Sequence, residues 1–149
     1  MTPDTSPPSA DLADRLLLSS KVIAVVGISD RPDRPSYGVA AYLQRAGYRM
    51  IPVNPQLTEV LGERCYPSLH DVPEPIDLVD VFRRPSLVDP VVDEAIAVHA
   101  KAIWFQDGVV NEPAAARAQA AGLDVVMDDC TMRRHRRLMA AQRAGKAGE

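Results

Sequence analysis

Five short apolar runs, separated by helix-like and turn-rich segments, constrain the fold of this chain more than any other feature. They are rich in β-branched residues and show little polar alternation, which is typical of parallel strands covered on both faces. Strands that alternate with helices predict an α/β fold with one parallel five-stranded sheet and right-handed crossovers. We predict the strands at Lys21–Ile28, Tyr48–Val53, Asp77–Phe82, Ala102–Phe105 and Leu123–Met127.

The helices are predicted from apolar residues that recur every three or four positions. Asn111 is a suitable cap for the helix before the fifth strand, and Pro113 falls in its first turn. Gly47 and Gly122 follow two of the helices, where glycine commonly ends a helix. We predict helices at Asp11–Leu18, Tyr37–Ala46 and Leu87–His99, between Asn111 and Gly122, and from Thr131 onward. Such helices are expected on both faces of the sheet.

The length of 149 residues suits a single domain, which we place at residues 11–140. Residues 1–10 are rich in Pro and Ser and are predicted to be disordered, and residues 141–149 are predicted to form a flexible tail. The N-terminus lacks the order of a secretion signal, and no apolar run approaches the ~20 residues of a membrane span. The two cysteines do not make a disulfide framework. We therefore expect a cytoplasmic protein that contacts no membrane.

The net charge of −3 is unevenly distributed along the chain. Residues 131–149 carry six Lys and Arg against one acid, which leaves 11 basic and 19 acidic residues before them, a net charge of −8. A strongly acidic body is a poor binder of polyanions, so we expect no nucleic-acid partner. The basic end of the chain is interpreted as a solvated helix.

The stretch from Lys21 to Ser36 has the features of a phosphate-binding loop. A buried strand ends at the glycine turn of Gly27, a hydroxyl follows at Ser29, and a helix begins soon after Ser36. Backbone N–H groups and the positive end of a helix dipole attract anions at such a position. Arg31 and Arg34 lie in the same loop, and a guanidinium can bind phosphate oxygens through two parallel hydrogen bonds. The loop therefore predicts a site for the phosphates of a nucleotide-like ligand.

In parallel α/β sheets, ligands bind beyond the carboxyl ends of the strands, where the strand order reverses. The residues that directly follow each predicted strand are therefore further candidates for the site. After the second, third and fourth strands these are Asn54, Pro55, Phe82, Arg83, Arg84, Gln106, Asp107 and Gly108, and after the fifth strand residues 128–131.

The second strand ends without the carboxylate that a dinucleotide site uses to bind a ribose 2′-hydroxyl. Of the glycine triplet G-x-G-x-x-G, only Gly27 is in place. A neutral Val53-Asn54-Pro55 with arginines nearby tolerates a ribose that carries its own phosphate. Coenzyme A, with a 3′-phosphate, and NADP, with a 2′-phosphate, both fit this pattern.

The residues that could act in catalysis lack the surroundings that catalysis requires. Cys130 would need a depressed pKa to act as a nucleophile, and the adjacent Asp128 and Asp129 oppose thiolate formation. Asp77 and Asp80 are expected on opposite faces of their strand, so they do not form an acid/base pair. The histidines and cysteines show no metal-ligand spacing. We therefore predict no catalytic residue, no metal and no enzymatic activity.

Several blocks of sequence, in order and spacing, carry a family resemblance. They are VVGISDRPDRPSYGVAAYLQRAGYRMIPVNP, DLVDVFRRP, IWFQDGVVN and AAGLDVVMDDC. From about Leu12 to Leu138 the chain resembles the small stand-alone CoA-binding proteins of bacteria and archaea, which are similar to the nucleotide-binding domain of the succinyl-CoA synthetase alpha subunit. The resemblance implies a Rossmann-like, doubly wound fold that binds coenzyme A or acyl-CoA without a known reaction. The sequence itself leaves a homodimer open.

The resemblance implies roles for particular positions. Its implied contacts with the pyrophosphate and pantetheine are Gly27, Ser29, Arg34, Ser36 and Tyr37, and with the adenosine Val53, Asn54 and Pro55. Its implied lining at the next strand ends is Phe82 and Arg83, then Trp104 and Gln106, although we interpret Trp104 as a core residue.

Two alternative functions remain open. An NADP-dependent oxidoreductase would need a substrate domain or proton donor that the chain does not visibly supply. An accessory subunit of an acyl-CoA synthetase would need a partner chain, because the synthetase alpha subunit carries its phosphohistidine in a second domain.

Overall fold

The computed structural model of the protein describes residues 8–147. In chain order the elements are α1 (Pro8–Ser19), β1 (Val22–Val26), α2 (Pro35–Arg45), β2 (Arg49–Val53), β3 (Glu59–Val60), β4 (Glu63–Arg64), β5 (Leu78–Val81), α3 (Asp89–Ala97), β6 (Ala102–Phe105), α4 (Glu112–Ala120), β7 (Asp124–Met127) and α5 (Thr131–Ala147). Two single 3-10 turns lie at Leu69–Asp71 and Pro85–Leu87.

The sheet contains the five predicted strands in the order β2-β1-β5-β6-β7, and every neighbouring pair is parallel. The predicted α/β, Rossmann-like, doubly wound architecture is therefore confirmed. The chain passes from β1 outward to β2 and then returns across β1 to β5, so the strand order reverses between β1 and β5. Val26, at the end of β1, pairs with Val53 on one side and Val81 on the other. This is the edge at which such sheets bind ligands.

Helices cover both faces of the sheet, as predicted. Alternate residues of each strand face opposite sides, which gives two separate hydrophobic clusters. Ala24 and Val26 of β1 belong to the cluster that contains Val92 of α3 and Ala118 of α4. The other cluster joins β1 to α1, α2 and α5, and its members include Ile23, Val25, Leu16, Leu43 and, at its margin, Leu138. The core is thus a three-layer sandwich of helices, sheet and helices.

The boundaries differ from the predicted ones by a few residues at most ends. The third helix begins at Asp89 rather than Leu87, because Pro85–Leu87 forms a separate 3-10 turn and Pro90 fits the first turn of α3. The small antiparallel hairpin of β3 and β4 was not predicted, because strands of two residues leave no periodic pattern.

The ends of the chain extend the predicted helices. The first helix begins at Pro8 rather than Asp11, and α5 continues through residues 141–147. Residues 1–7 of the predicted disordered segment and residues 148–149 of the predicted tail lie outside the described residues. Within residues 8–147, no helix combines the length and apolar character that a membrane span requires.

Candidate functional site

A cavity of about 1030 Å³ opens at the carboxyl edge of the sheet, over the reversal point between β1 and β5. The β1–α2 loop, the segments after β5 and β6, and the start of α5 form its walls. The structure brings most of the predicted site residues to this one space. Those that line it are Gly27, Ser29, Arg34, Ser36, Phe82, Arg83 and Gln106.

Gly27 brings the β1–α2 loop into direct contact with the end of β5. Its φ of +84° lies in the left-handed region, and a Cβ at this position would be 2.1 Å from the carbonyl oxygen of Phe82. The Gly27 N–H donates to the carbonyl of Val53 at 3.0 Å. Only glycine fits this turn, because any side chain would displace the β5 backbone.

The loop after Gly27 is held by its own side chains. The Ser29 N–H donates to Ser36 Oγ at 2.9 Å, and the Arg31 N–H donates to Ser29 Oγ at 3.1 Å. The Asn54 amide donates from Nδ2 to the carbonyl of Ile28 at 2.8 Å. These bonds fix the shape of the loop before any ligand arrives.

Three arginines at the cavity have no partner among the described residues, and a fourth, Arg136, lies over the Tyr42 ring. Arg34, Arg83 and Arg84 line the cavity, and within residues 8–147 their side chains have no ion-pair or hydrogen-bond partner. The carboxylate of Asp107 also lines the cavity, but it is bound by Arg133 at 2.8 and 2.9 Å. That guanidinium lowers the pKa of Asp107. The cavity therefore has an excess of positive charge on an otherwise acidic protein and suits an anion.

The four other predicted site residues lie outside this cavity. Val53 and Pro55 line a smaller cavity of about 280 Å³, and Arg83 borders both cavities. Asn54 is not in the lining of either cavity, and its Oδ1 accepts a hydrogen bond from the Gln56 N–H. Tyr37 packs against the hydrophobic cluster beneath α2.

A buried polar network lies beneath the cavity. Asp80 of β5 is fully buried and accepts hydrogen bonds from Gln106 Nε2 at 2.5 Å and from Thr131 Oγ1 at 3.0 Å. Gln106 Nε2 also donates to Thr131 Oγ1 at 3.0 Å. Burial raises the pKa of Asp80 to about 7, although the two hydrogen bonds favour the ionised form. The network ties β5, the end of β6 and the start of α5 together.

Replacing Asp80 with asparagine is expected to change the free energy of unfolding more favourably at alkaline than at acidic pH. The folded protein binds the Asp80 proton more tightly than the unfolded chain, so the stability from this proton is lost as the pH rises through about 7. Asparagine does not ionise, so its contribution to the free energy of unfolding does not change with pH. Thermal unfolding of both proteins at about pH 5 and about pH 8 measures the difference.

The comparison of the two proteins isolates this one group. Burial also lowers the pKa of His135, but both proteins contain that histidine and its effect cancels. A difference in stability that is the same at both pH values would contradict the raised pKa of Asp80.

Several residues of the cavity were not among the predicted contacts. The basic segment interpreted as a solvated helix supplies Met132, Arg133 and Arg136. The available signal was that this helix begins soon after the fifth strand, at the carboxyl edge of the sheet where ligands bind. Cys130, which was a candidate because it follows the fifth strand, also lines the cavity and is 7% exposed. Arg84, Asp107 and Gly108, which were candidates because they follow predicted strands, also line the cavity. The remaining unpredicted lining is Pro35, Gly38, Val39, Pro85 and Val109.

Trp104 does not line the cavity and is fully buried in β6, as our interpretation of it as a core residue requires. Its Nε1 donates to the carbonyl of Asp129 at 3.0 Å. Among residues 8–147, no group of three or more His, Cys, Asp and Glu side chains is placed to hold a metal ion.

A sequence model of one protein family, described as a CoA binding domain, matches residues 21–136. The uncharacterized protein YneT of Bacillus subtilis (strain 168) is 44% identical over 125 residues, which cover 84% of this chain and 92% of YneT. A hypothetical protein from Pyrococcus horikoshii OT3 has a solved structure with a TM-score of 0.86 and 40% identity, over 93% of this chain and 99% of that one.

A larger relative contains a related segment. Acetate--CoA ligase [ADP-forming] II of Archaeoglobus fulgidus is 31% identical over 86 residues, or 56% of this chain. The matched segment is 12% of the ligase, so this chain is similar to one small part of that enzyme.

Proposed function

This chain belongs to the CoA binding domain family, and we propose that it binds coenzyme A or acyl-CoA at the carboxyl edge of its sheet without catalysing a reaction. The observation that carries the proposal is a set of three arginines, Arg34, Arg83 and Arg84, that have no ion-pair or hydrogen-bond partner in the described part of the chain and surround a cavity of about 1030 Å³. Coenzyme A carries a pyrophosphate and a 3′-phosphate, which together require several cations. The cavity supplies them beside a preformed loop.

The sheet order suggests how the ligand lies. The phosphates occupy the β1–α2 loop, at the N-terminal end of α2. The adenosine lies towards β2, beside Val53, Asn54 and Pro55, where the smaller cavity is found. The pantetheine arm extends the other way, past Phe82 towards the ends of β5 and β6.

The chemistry of the lining supports binding rather than catalysis. Among the described lining residues, the side chains that can act as a base or nucleophile are Asp107, Cys130 and the hydroxyls of Ser29 and Ser36. The two hydroxyls accept hydrogen bonds from backbone N–H groups, and no base is bonded to either of them within residues 8–147. Asp107 is already bound by Arg133, whose guanidinium keeps the carboxylate ionised and weakly basic. Cys130 is 7% exposed, and within residues 8–147 its thiol has no hydrogen-bond partner that could act as a base.

Replacing Arg34 with alanine is expected to weaken coenzyme A binding by about 1.5–3 kcal/mol, because a charged hydrogen bond to phosphate is lost. Isothermal titration calorimetry of the purified protein measures the effect. Arg31→Ala is the matched control, because Arg31 lies in the same loop but does not line the cavity. Equal affinities of the Arg34→Ala and Arg31→Ala proteins for coenzyme A would show that Arg34 does not contact the ligand.

The same titration, run with three ligands, tests the identity of the ligand. Coenzyme A is expected to bind more tightly than dephospho-CoA, because the latter lacks the 3′-phosphate that the arginines would contact. Equal affinity for these two ligands would contradict the role of the 3′-phosphate. Tighter binding of NADP than of coenzyme A would favour the oxidoreductase instead.

A further inference from the structure

The amide of Gln106 lies in the wall of the cavity with both of its N–H donors in use. Nε2 donates to Asp80 Oδ1 at 2.5 Å and to Thr131 Oγ1 at 3.0 Å. A side-chain amide has two N–H donors, so none is left for a ligand. The group that remains is the carbonyl oxygen, Oε1, which only accepts.

This oxygen is open to the cavity. Within residues 8–147, Gln106 Oε1 has no hydrogen-bond partner. In the same part of the chain, no side-chain oxygen or nitrogen is both fully buried and unpaired. Oε1 is therefore accessible, and since Gln106 is only 3% exposed and lines the cavity, the accessible oxygen faces that space.

Asp80 sets the orientation of the amide. Its Oδ1 accepts from Gln106, while Thr131 Oγ1 donates to the other oxygen at 3.0 Å. An ionised carboxylate only accepts, and a proton on the oxygen that faces Thr131 would still leave Oδ1 as an acceptor. Reversing the amide would place its oxygen against Asp80 Oδ1 and against Thr131 Oγ1, whose hydroxyl already donates to Asp80 Oδ2, so acceptors would meet in the interior, which is costly. The acceptor of Gln106 therefore stays directed at the cavity.

We propose that Gln106 Oε1 determines ligand specificity by accepting a hydrogen bond from an amide N–H of the pantetheine arm, an inference that rests on the proposed binding of coenzyme A. Phosphate oxygens at neutral pH are acceptors, so they do not pair with this oxygen. A thiol is a weak donor. The two amide N–H groups of the arm are full donors, and each loses its bond to water when the arm enters the cavity.

The position of Gln106 in the sheet agrees with this assignment. It follows β6, which is two strands from β1, or about 10 Å at the usual strand spacing. With the phosphates at the β1–α2 loop, the pantetheine arm would extend across this distance to Gln106. The neighbouring lining includes Val109 and Met132, whose apolar surfaces suit the methylene groups between the amides.

Calorimetric titration with modified ligands tests the proposal on the unchanged protein. The probes are coenzyme A and two analogues, in each of which one pantetheine amide N–H is replaced by an ester oxygen. The wild-type protein is expected to bind at least one analogue about 3- to 10-fold more weakly than coenzyme A. Wild-type protein that binds all three equally would overturn the proposal.

A variant of the protein, titrated with the same ligands, tests the contact from the protein side. Gln106→Met is expected to bind coenzyme A about 3- to 10-fold more weakly and to bind the sensitive analogue no worse than coenzyme A. It should bind adenosine 3′,5′-bisphosphate, which lacks the arm, as tightly as the wild type. If Gln106→Met weakened the binding of coenzyme A and of adenosine 3′,5′-bisphosphate equally, Gln106 would only shape the cavity. If the variant still bound coenzyme A more tightly than the sensitive analogue, the proposed contact would also be refuted. A wild-type protein that fails to bind coenzyme A would instead refute the proposed function.

Discussion

Replacing Gly27 with alanine is expected to lower the free energy of unfolding by about 2–5 kcal/mol. Two costs add at this position. A non-glycine residue at a φ of +84° costs about 1–2 kcal/mol, and a Cβ that would lie 2.1 Å from the Phe82 carbonyl oxygen forces a backbone shift that costs about 1–3 kcal/mol. Phe82 cannot move freely, because its N–H donates to the carbonyl of Val26 at 2.8 Å. Urea unfolding followed by circular dichroism measures the change.

Gly62→Ala separates these two costs. Gly62 has a φ of +76° in the turn of the small hairpin, but a Cβ there would meet nothing within 4 Å. This variant should show only the backbone cost of about 1–2 kcal/mol. If both variants lose the same stability, the close approach of Gly27 to Phe82 contributes nothing.

Replacing Trp104 with alanine is expected to lower the free energy of unfolding by about 3–5 kcal/mol. The indole is fully buried among the side chains that join β6 to α1, α2 and α5. Its removal would leave a large cavity and would also leave the Asp129 carbonyl without its partner, Trp104 Nε1. That carbonyl lies just before α5, so the loss would loosen one wall of the ligand cavity.

Trp104→Phe is the matched control, because it also lacks the hydrogen bond to Asp129 but keeps most of the buried volume. It keeps an aromatic ring in the core and is expected to retain most of the stability lost by the alanine variant, because the cost follows the buried volume that is removed. The two variants are compared by urea unfolding in the same buffer. A loss for alanine no larger than that for phenylalanine would show that the packing of the indole contributes little.

The fold could be predicted because its signals are local. Each buried strand is a short apolar run, and each helix is marked by periodicity and by terminal residues such as Asn111, whose side chain caps α4 through the Ala114 N–H at 3.1 Å. The family could be recognised because its blocks span most of the chain, and the match to the family over residues 21–136 confirms that resemblance. Gly27 was identified from the same local pattern.

The interior of the site could not be predicted, because its contacts join residues that are far apart in sequence. Asp80, Gln106 and Thr131 lie 25 or more residues from one another, and no spacing rule links them. Arg133 was predicted to be solvated because most runs of basic residues are. The pairing of Arg133 with Asp107 depends on the turn after β7, which brings the start of α5 beside the end of β6. Sequence patterns identify which strand ends carry a site but not which side chains meet there.

The internal bonds of the β1–α2 loop bear on how a ligand associates. Because Ser36 holds the Ser29 backbone and Asn54 holds the Ile28 carbonyl, the loop has little conformational entropy to lose on binding. Association then needs no slow rearrangement, and its rate is set by diffusion and by the attraction of the free arginines for a polyanion. Such a rate falls as ionic strength rises, since salt screens charges beyond about 10 Å at 0.1 M. If the protein binds coenzyme A as proposed, the site would capture the ligand on encounter rather than close around it.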